Sequence, residues 1–427
     1  MDSGDTAWVL ISSALVLLMV PGLAFFYGGL VRSKNVTATI MHSFISMAVV
    51  SVVWVLWGYS LAFGPDVGHF IGNLDYIGLR GVLATEAGPY ADTIPHQAFM
   101  IFQGMFAIIT PALITGAFAE RIKFSTLVIF TVVWSTIVYA PLAHWVWGVD
   151  GWLGLNGWGA LDFAGGTVVH ISSGVAALAA AIIFGRRLGY GKDSMEPHNV
   201  PFVLLGASLL WFGWFGFNAG SALMAGSSAT SAFVVTNTAG AMGALTWAFL
   251  DWSLNGKVSA VGVATGAVAG LAAVTPAAGF VGPMPALLIG LGAGTLGYLA
   301  IRLKNKIKLD DALDVWAIHG VGGTWGVLAA GLFVGIGFMT ISDFVLPGID
   351  RAEQILRQLG AIGATWVWAF VMTSVILLVL KATVGLRVSE EEEEKGLDQS
   401  EHGETAYRIP SEVSPGPSTN PTSEDSE

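Results

Sequence analysis

Long apolar stretches recur along this 427-residue chain, and they dictate its solvent. A helix crossing the hydrocarbon core of a bilayer needs about 20 mainly apolar residues. Eleven stretches qualify, approximately 8–31, 40–63, 98–118, 124–143, 164–185, 201–224, 230–250, 258–277, 283–302, 314–338 and 359–384. Inside lipid every backbone N–H and C=O must find its partner within the protein, so spans of this length are helices. With only 11% of residues charged and 54% hydrophobic, the chain cannot cover a water-facing surface. The expected fold is therefore an all-α membrane protein with eleven transmembrane helices.

Basic residues orient it. Short loops rich in Lys and Arg stay on the cytoplasmic side. If the N-terminus lies outside, only Arg80, Arg351 and Arg357 of the 19 Lys and Arg residues fall in outer loops. A count of ten or twelve spans would push a basic cluster outside, so eleven spans with the N-terminus out and the C-terminus in satisfy the charge pattern best. The opening MDSGDTA has acids and no basic n-region, which reads as a retained first helix, not a cleaved signal. Such a topology suits a plasma or bacterial inner membrane. Long outer segments at 64–97 and 144–163 are placed to shape an external mouth.

Much of the net charge of −11 belongs to the C-terminal end, beginning with the run Glu390–Glu394. The domain reading is a membrane body over 1–387, a cytoplasmic tail over 388–409 and a disordered extension over 410–427, whose PSEVSPGPSTNPTSEDSE has too little apolar content to fold alone. The absence of cysteine excludes disulfides, thiolate nucleophiles and iron–sulfur ligation. No nucleophile triad, phosphate loop or metal cluster is visible, so no enzyme activity, cofactor, metal or nucleic-acid partner is expected.

Ionisable groups inside spans are costly and mark function by default. His170, in GGTVVHISSG, and His319, in DVWAIHGVGG, each sit mid-helix without an acid one turn away. Either alone is as readily a packed histidine bonded to a carbonyl. Together they occupy the fifth and tenth spans, and both are followed by Gly- and Ala-rich helix. This suggests two five-helix halves of inverted topology plus a final long helix, with a site near the midplane. A neutral imidazole has one donor and one acceptor, so two facing rings could share a proton and still bond a small hydride such as ammonia or water.

Aromatic residues form a second constellation at the outer ends. Phe102 and Phe106 are four apart on one face of the third span, Phe217 and Ser221 four apart on the sixth, and Trp147 follows the fourth. Rings with a nearby hydroxyl could hold a small cation that also donates a hydrogen bond, although packing or lipid-facing aromatics are common in such a chain. Asp162 precedes the fifth span as an N-cap, and its charge could also attract cations to the mouth. Asp310, Asp311 and Asp314 read as capping groups at the inner start of the tenth.

These residues resemble the ammonium transporters (Amt/Mep, related to Rh proteins). The likeness runs from the first span to about Tyr407. It is carried by Asp162-Phe-Ala-Gly-Gly-Thr-Val-Val-His170 with Gly174 and Ala176-Ala177-Leu178, and by FQGMFA, AHWVWG, WFGFNAGSA and DDALDVWAIHGVGG. The resemblance implies an external ammonium and methylammonium recruitment site at Trp147, Phe106 and Ser221 supported by Asp162. It also implies a gate of Phe106 and Phe217 with Phe102 close by, and a pore lined by His170 and His319. It implies a homotrimer with one pore per subunit, and a PII-type signalling protein as a possible partner at the cytoplasmic face. GLDQSEHGETAY (396–407) is similar to the family's regulatory C-terminus, whereas the acidic run and the extension past Pro410 depart from it.

Other readings start from the same residues. Two histidines on separate helices can ligate a haem, an Rh-like gas channel would share the pore, and an ammonium sensor would use the tail as output. The Trp147 and Ser221 positions favour the ammonium branch.

Overall fold

The computed structural model describes residues 1–336 and 350–407. Ten helices among them are long and apolar enough to cross a membrane: Ser3–Leu30, Ser33–Phe63, His96–Phe118, Phe124–Trp147, Gly166–Phe184, Val200–Gly220, Ser227–Asn255, Ala260–Ala277, Pro283–Lys306 and Arg351–Thr383. The expected tenth span is present as a π-helical turn, Trp316–Val321, continued by an α-helix, Gly322–Phe333. It is shorter than the 314–338 read from hydropathy, and the last two of those residues lie outside the described ones. The final helix starts earlier than expected, at Arg351, because Glu353 and Arg357 pair one turn apart on its polar first turns.

Small residues set how closely the helices approach. A Cβ on Gly206 would stand 2.2 Å from the Phe26 backbone N, and one on Gly220 would meet Ser12 and Phe102, so the sixth span lies directly against the first. The fifth and tenth spans cross in the same manner: a Cβ on Gly174 would stand 2.0 Å from the Gly320 backbone N, so there is no room for a side chain. That crossing is the centre of the molecule.

The two crossing helices are built alike. Each opens with a π-helical turn holding its histidine, Gly166–Ile171 and Trp316–Val321. Each is preceded by a carboxylate eight residues before the histidine, Asp162 and Asp311, that accepts hydrogen bonds from the helix's first backbone N–H groups. The matching caps lie at opposite ends of the bundle, as inverted halves require.

Outside the bundle, segment 64–95 carries two short antiparallel hairpins, Asp66–Val67 with Ile71–Gly72 and Ala87–Gly88 with Ala91–Pro95, which the all-helical reading did not anticipate. At the basic end, Glu390–Lys395 and Leu397–His402 form two short helices. Ser389 and Glu392 close a capping box on the first, so the acidic run is ordered helix, its like charges gathered where the N-terminal dipole favours them. The extension 410–427 lies outside the described residues.

Candidate functional site

From the Trp147 end, which the charge pattern assigns to the outside, a column of rings descends through the bundle. The Trp147 ring is 5.9 Å from that of Phe106 and edge-on to it. Phe106 meets Phe217 at 4.4 Å. Phe217 lies 5.9 Å from the His170 imidazole, which stacks at 5.2 Å on His319. The two Nδ1 atoms of the histidines are 3.1 Å apart and share a hydrogen.

Each ring has a local reason for its place. The end of the fourth span, Ala140–Trp147, presents Trp147, whose indole N–H donates to the Asp162 carbonyl at 3.0 Å and leaves the ring face free. Phe217 and Ser221 share a face of the sixth span, and Ser221 donates to the Phe217 carbonyl, so its oxygen can still accept. The histidines come from the π turns, where a wider helix redirects side chains inward.

Two cavities flank the phenyl contact. An outer one is lined by Trp147, Phe106, Ser221, Asp162 and Gln103. A narrow inner one is lined by Phe217, Trp214, His170, His319 and Asp314, with aliphatic walls such as Leu23 and Val268. The structure thus brings together the predicted site residues, with two refinements. Phe102 packs behind Phe106 at 5.0 Å and against Gly220, and it lines neither cavity. Asp162 borders the outer cavity, but its carboxylate is taken up by Gly165 N–H at 2.8 Å, Gly166 N–H at 2.6 Å, Thr167 N–H at 2.7 Å and the Thr167 hydroxyl.

Burial pushes the Asp162 carboxyl up against the opposing pull of those hydrogen bonds. Its counterpart Asp311 is pushed up to about 6, first by burial, with Lys304 opposing and Asp314 reinforcing. Of the three inner aspartates expected to cap the tenth span, Asp311 does so; Asp310 instead binds the Arg187 guanidinium at 2.8 Å, and Asp314 pairs with Lys304 at 2.5 Å. Around them Glu120 pairs with Arg32 at 2.7 Å and Arg187 at 3.2 Å. Burial would raise the Glu120 carboxyl, but Arg187 and Arg32 outweigh it and hold it below the usual range.

The tail closes over this cluster. Glu393, buried, accepts from Leu188 N–H and Arg387, both at 2.6 Å; Asp398 accepts from Ala38 N–H at 2.8 Å, and Glu401 from Phe124 N–H at 2.8 Å. The run Glu390–Glu394 therefore supplies a latch residue that its composition alone did not reveal.

Sequence reasoning also missed Gln103, Trp214 and Thr275. Gln103 is nine-tenths buried beside Phe106, and its Oε1 has no partner among the described residues. Its place inside FQGMF, between the two phenylalanines, was the available signal. For Asp311 the signal was the spacing of eight to His319, identical to that of Asp162 to His170.

Comparison with known proteins gives one answer. Residues 7–407 match the family model described as Ammonium Transporter Family. The chain is 50% identical over 413 residues to an ammonium transporter of Bacillus subtilis, covering 96% of this chain and 99% of that one. It is 47% identical to ammonium transporter Amt1 of Archaeoglobus fulgidus, covering 95% and 100%. Among solved structures it superposes on Saccharomyces cerevisiae Mep2 with a TM-score of 0.83 at 38% identity, over 92% of this chain and 89% of that one. On a protein titled Sensor Amt Protein the TM-score is 0.86 at 31% identity, over 93% and 98%. The chain belongs to the ammonium transporter family, a family of membrane-spanning transporters and not of enzymes.

Proposed function

We propose that ammonium binds in the outer cavity at Trp147, Phe106 and Ser221, loses a proton at the Phe106–Phe217 contact, and crosses as ammonia along His170 and His319. The observation that carries this reading is the unbroken column of rings, with the phenyl pair in contact at 4.4 Å between two cavities. Energetics choose the neutral species. A cation over an aromatic face gains about 0.5–2 kcal/mol, whereas stripping an ion of water costs several kcal/mol even after the protein relaxes. Two rings can hold ammonium at the mouth, but they cannot carry an ion past a closed phenyl contact into aliphatic walls. Neutral ammonia crosses at modest cost, and potassium, with no proton to give up, is refused.

Asp162 supports the site by tying the Trp147 indole and the first turn of the fifth span to one loop. The histidine pair is the proposed route by which the released proton follows. We place the protein in a plasma or inner membrane with its N-terminus outside, as a homotrimer with one pore per subunit, and the tail over 388–409 as a cytoplasmic regulatory element to which a PII-type protein could dock.

A haem between the histidines fits poorly. Two metal–nitrogen bonds of about 2 Å each need more than the 3.1 Å that separates the Nδ1 atoms. Sensing would use the same pathway with the tail as output, and the tail's bonds to Ala38, Phe124 and Leu188 favour such coupling.

The test is methylammonium uptake into proteoliposomes with the current recorded, for the wild type and His170→Ala. Loss of uptake, or uptake with potassium admitted, supports the pathway. Unchanged flux with unchanged selectivity removes the pair from the mechanism.

A further inference from the structure

We propose that Thr275 is a positioning residue that sets the tautomers of both pore histidines, and with them the direction in which the pair can pass a proton; this rests on reading His170 and His319 as the conduction path. Thr275 caps the α-helical part of the eighth span, immediately before Pro276 in its last turn, and is fully buried. Its hydroxyl oxygen has three neighbours: the Leu271 carbonyl at 2.9 Å, the Trp214 indole nitrogen at 3.0 Å and the His170 Nε2 at 3.3 Å.

A hydroxyl has one hydrogen to donate and two lone pairs to accept with. An indole N–H can only donate and a carbonyl can only accept, so Trp214 takes one lone pair and Leu271 takes the hydrogen along the shortest of the three contacts. What remains for His170 is a lone pair. Its Nε2 must therefore carry the hydrogen and donate it to Thr275. In a neutral imidazole the Nδ1 is then bare, and it can only accept from His319 Nδ1, 3.1 Å away. His319 in turn carries its hydrogen on Nδ1, and its Nε2 is a bare acceptor with no protein partner among the described residues, on a ring that lines the inner cavity.

His319, His170 and Thr275, from spans ten, five and eight, thus form a directed chain, each imidazole N–H pointing toward Thr275. In this state the pair offers an acceptor to ammonia in the inner cavity, and no bare nitrogen is turned to the gate. A proton arriving from outside has nowhere to bind until the chain reverses. Reversal needs the His170 Nε2 proton to leave toward the gate side, the His319 Nδ1 proton to pass to His170 Nδ1 and a proton from ammonium in the inner cavity to bind His319 Nε2, with the Thr275 hydroxyl turned from Leu271 to the bared His170 Nε2. The hydroxyl therefore biases which of the two orientations of the chain is held, and so which way the pair is ready to pass a proton. Valine keeps the shape of threonine but has neither donor nor acceptor, and serine keeps both.

The experiment is nitrogen-15 NMR of histidine-labelled protein in bilayers, where protonated and bare ring nitrogens resonate far apart, combined with current and methylammonium uptake. The wild type should show His170 protonated at Nε2 and His319 at Nδ1. Thr275→Val should give a mixture of tautomers and a roughly tenfold change in the ratio of current to uptake, the size expected for loss of one buried hydrogen bond. Thr275→Ser should restore both. A bare Nε2 on wild-type His170, or unmixed tautomers with an unchanged ratio in Thr275→Val, overturns the proposal. The wild-type and serine spectra decide the matter even if the valine variant does not fold. If His170→Ala leaves flux and selectivity intact, the pathway itself fails; if His170→Ala abolishes transport while Thr275→Val keeps its tautomers, only the role of Thr275 fails.

Discussion

Replacing Asp162 with alanine should do more harm than removing any other residue that lines the outer cavity. Its carboxylate holds three backbone N–H groups at 2.6–2.8 Å and the Thr167 hydroxyl, all buried. Hydrogen bonds to a charged group contribute about 1.5–3 kcal/mol each, and a buried donor left unpaired costs about 1–3 kcal/mol. Three such bonds would total about 5–9 kcal/mol if they were additive. They share one acceptor, however, and the loop can relax, so we expect about 3–5 kcal/mol. The damage should travel along the π turn to His170, eight residues on, and through the Asp162 loop to the Trp147 indole. Asp162→Asn should do nearly as much harm, since one of its two oxygens becomes an NH₂ facing N–H donors. Purified variants would be followed by thermal unfolding in detergent and by methylammonium uptake into liposomes. A midpoint within about 2 °C of the wild type, together with uptake within about twofold, would refute the reasoning, because so many strong bonds cannot be lost without either consequence.

Three further outcomes follow from the geometry. Phe217→Ala removes the phenyl contact between the cavities, and potassium leak measured in liposomes should rise while wild-type protein stays tight. Asp311 is raised to about 6 in the folded protein, so between its ordinary value near 4 and about 6 the folded state holds a proton that the unfolded chain has released. Stability should therefore fall as pH rises through that window, by about 2–3 kcal/mol, and Asp311→Asn should flatten the dependence in pH-resolved unfolding. Glu393→Ala leaves the Leu188 N–H without its buried acceptor and takes one from Arg387, which is partly exposed and keeps the Phe184 and Arg186 carbonyls; such a loss costs about 1–3 kcal/mol, so limited trypsin digestion should cut at Lys395 faster, by about tenfold, with uptake assayed alongside.

Hydropathy and charge are local or additive properties of a chain, and what depended on them could be read directly. The spans from Ser3–Leu30 to Pro283–Lys306 fall within several residues of their expected positions, because lipid imposes the same length on each of them. The last span was misjudged at its start, where Glu353 and Arg357 break the hydropathy although they pair on a continuing helix. The two hairpins in the outer segment went unseen because their strands are two to five residues long, too short for an alternating pattern to register. The aromatic and histidine residues stood out by type and by their place in the spans.

What only the tertiary structure decided is which of them meet. His170 and His319 are 149 positions apart, and Thr275 lies 105 from the first. No periodicity within a helix encodes a contact between helices; close approach at Gly174 and Gly320 does, by letting two backbones cross where any side chain would hold them apart. The acid run followed the same rule. Composition gave it charge, but the buried pocket between Arg387 and the Leu188 N–H made Glu393 a latch. From its own residues the chain determined that it spans a membrane and that two imidazoles lie within it. Packing determined that those imidazoles touch, because desolvating a polar ring is tolerable only where another polar group is brought to it.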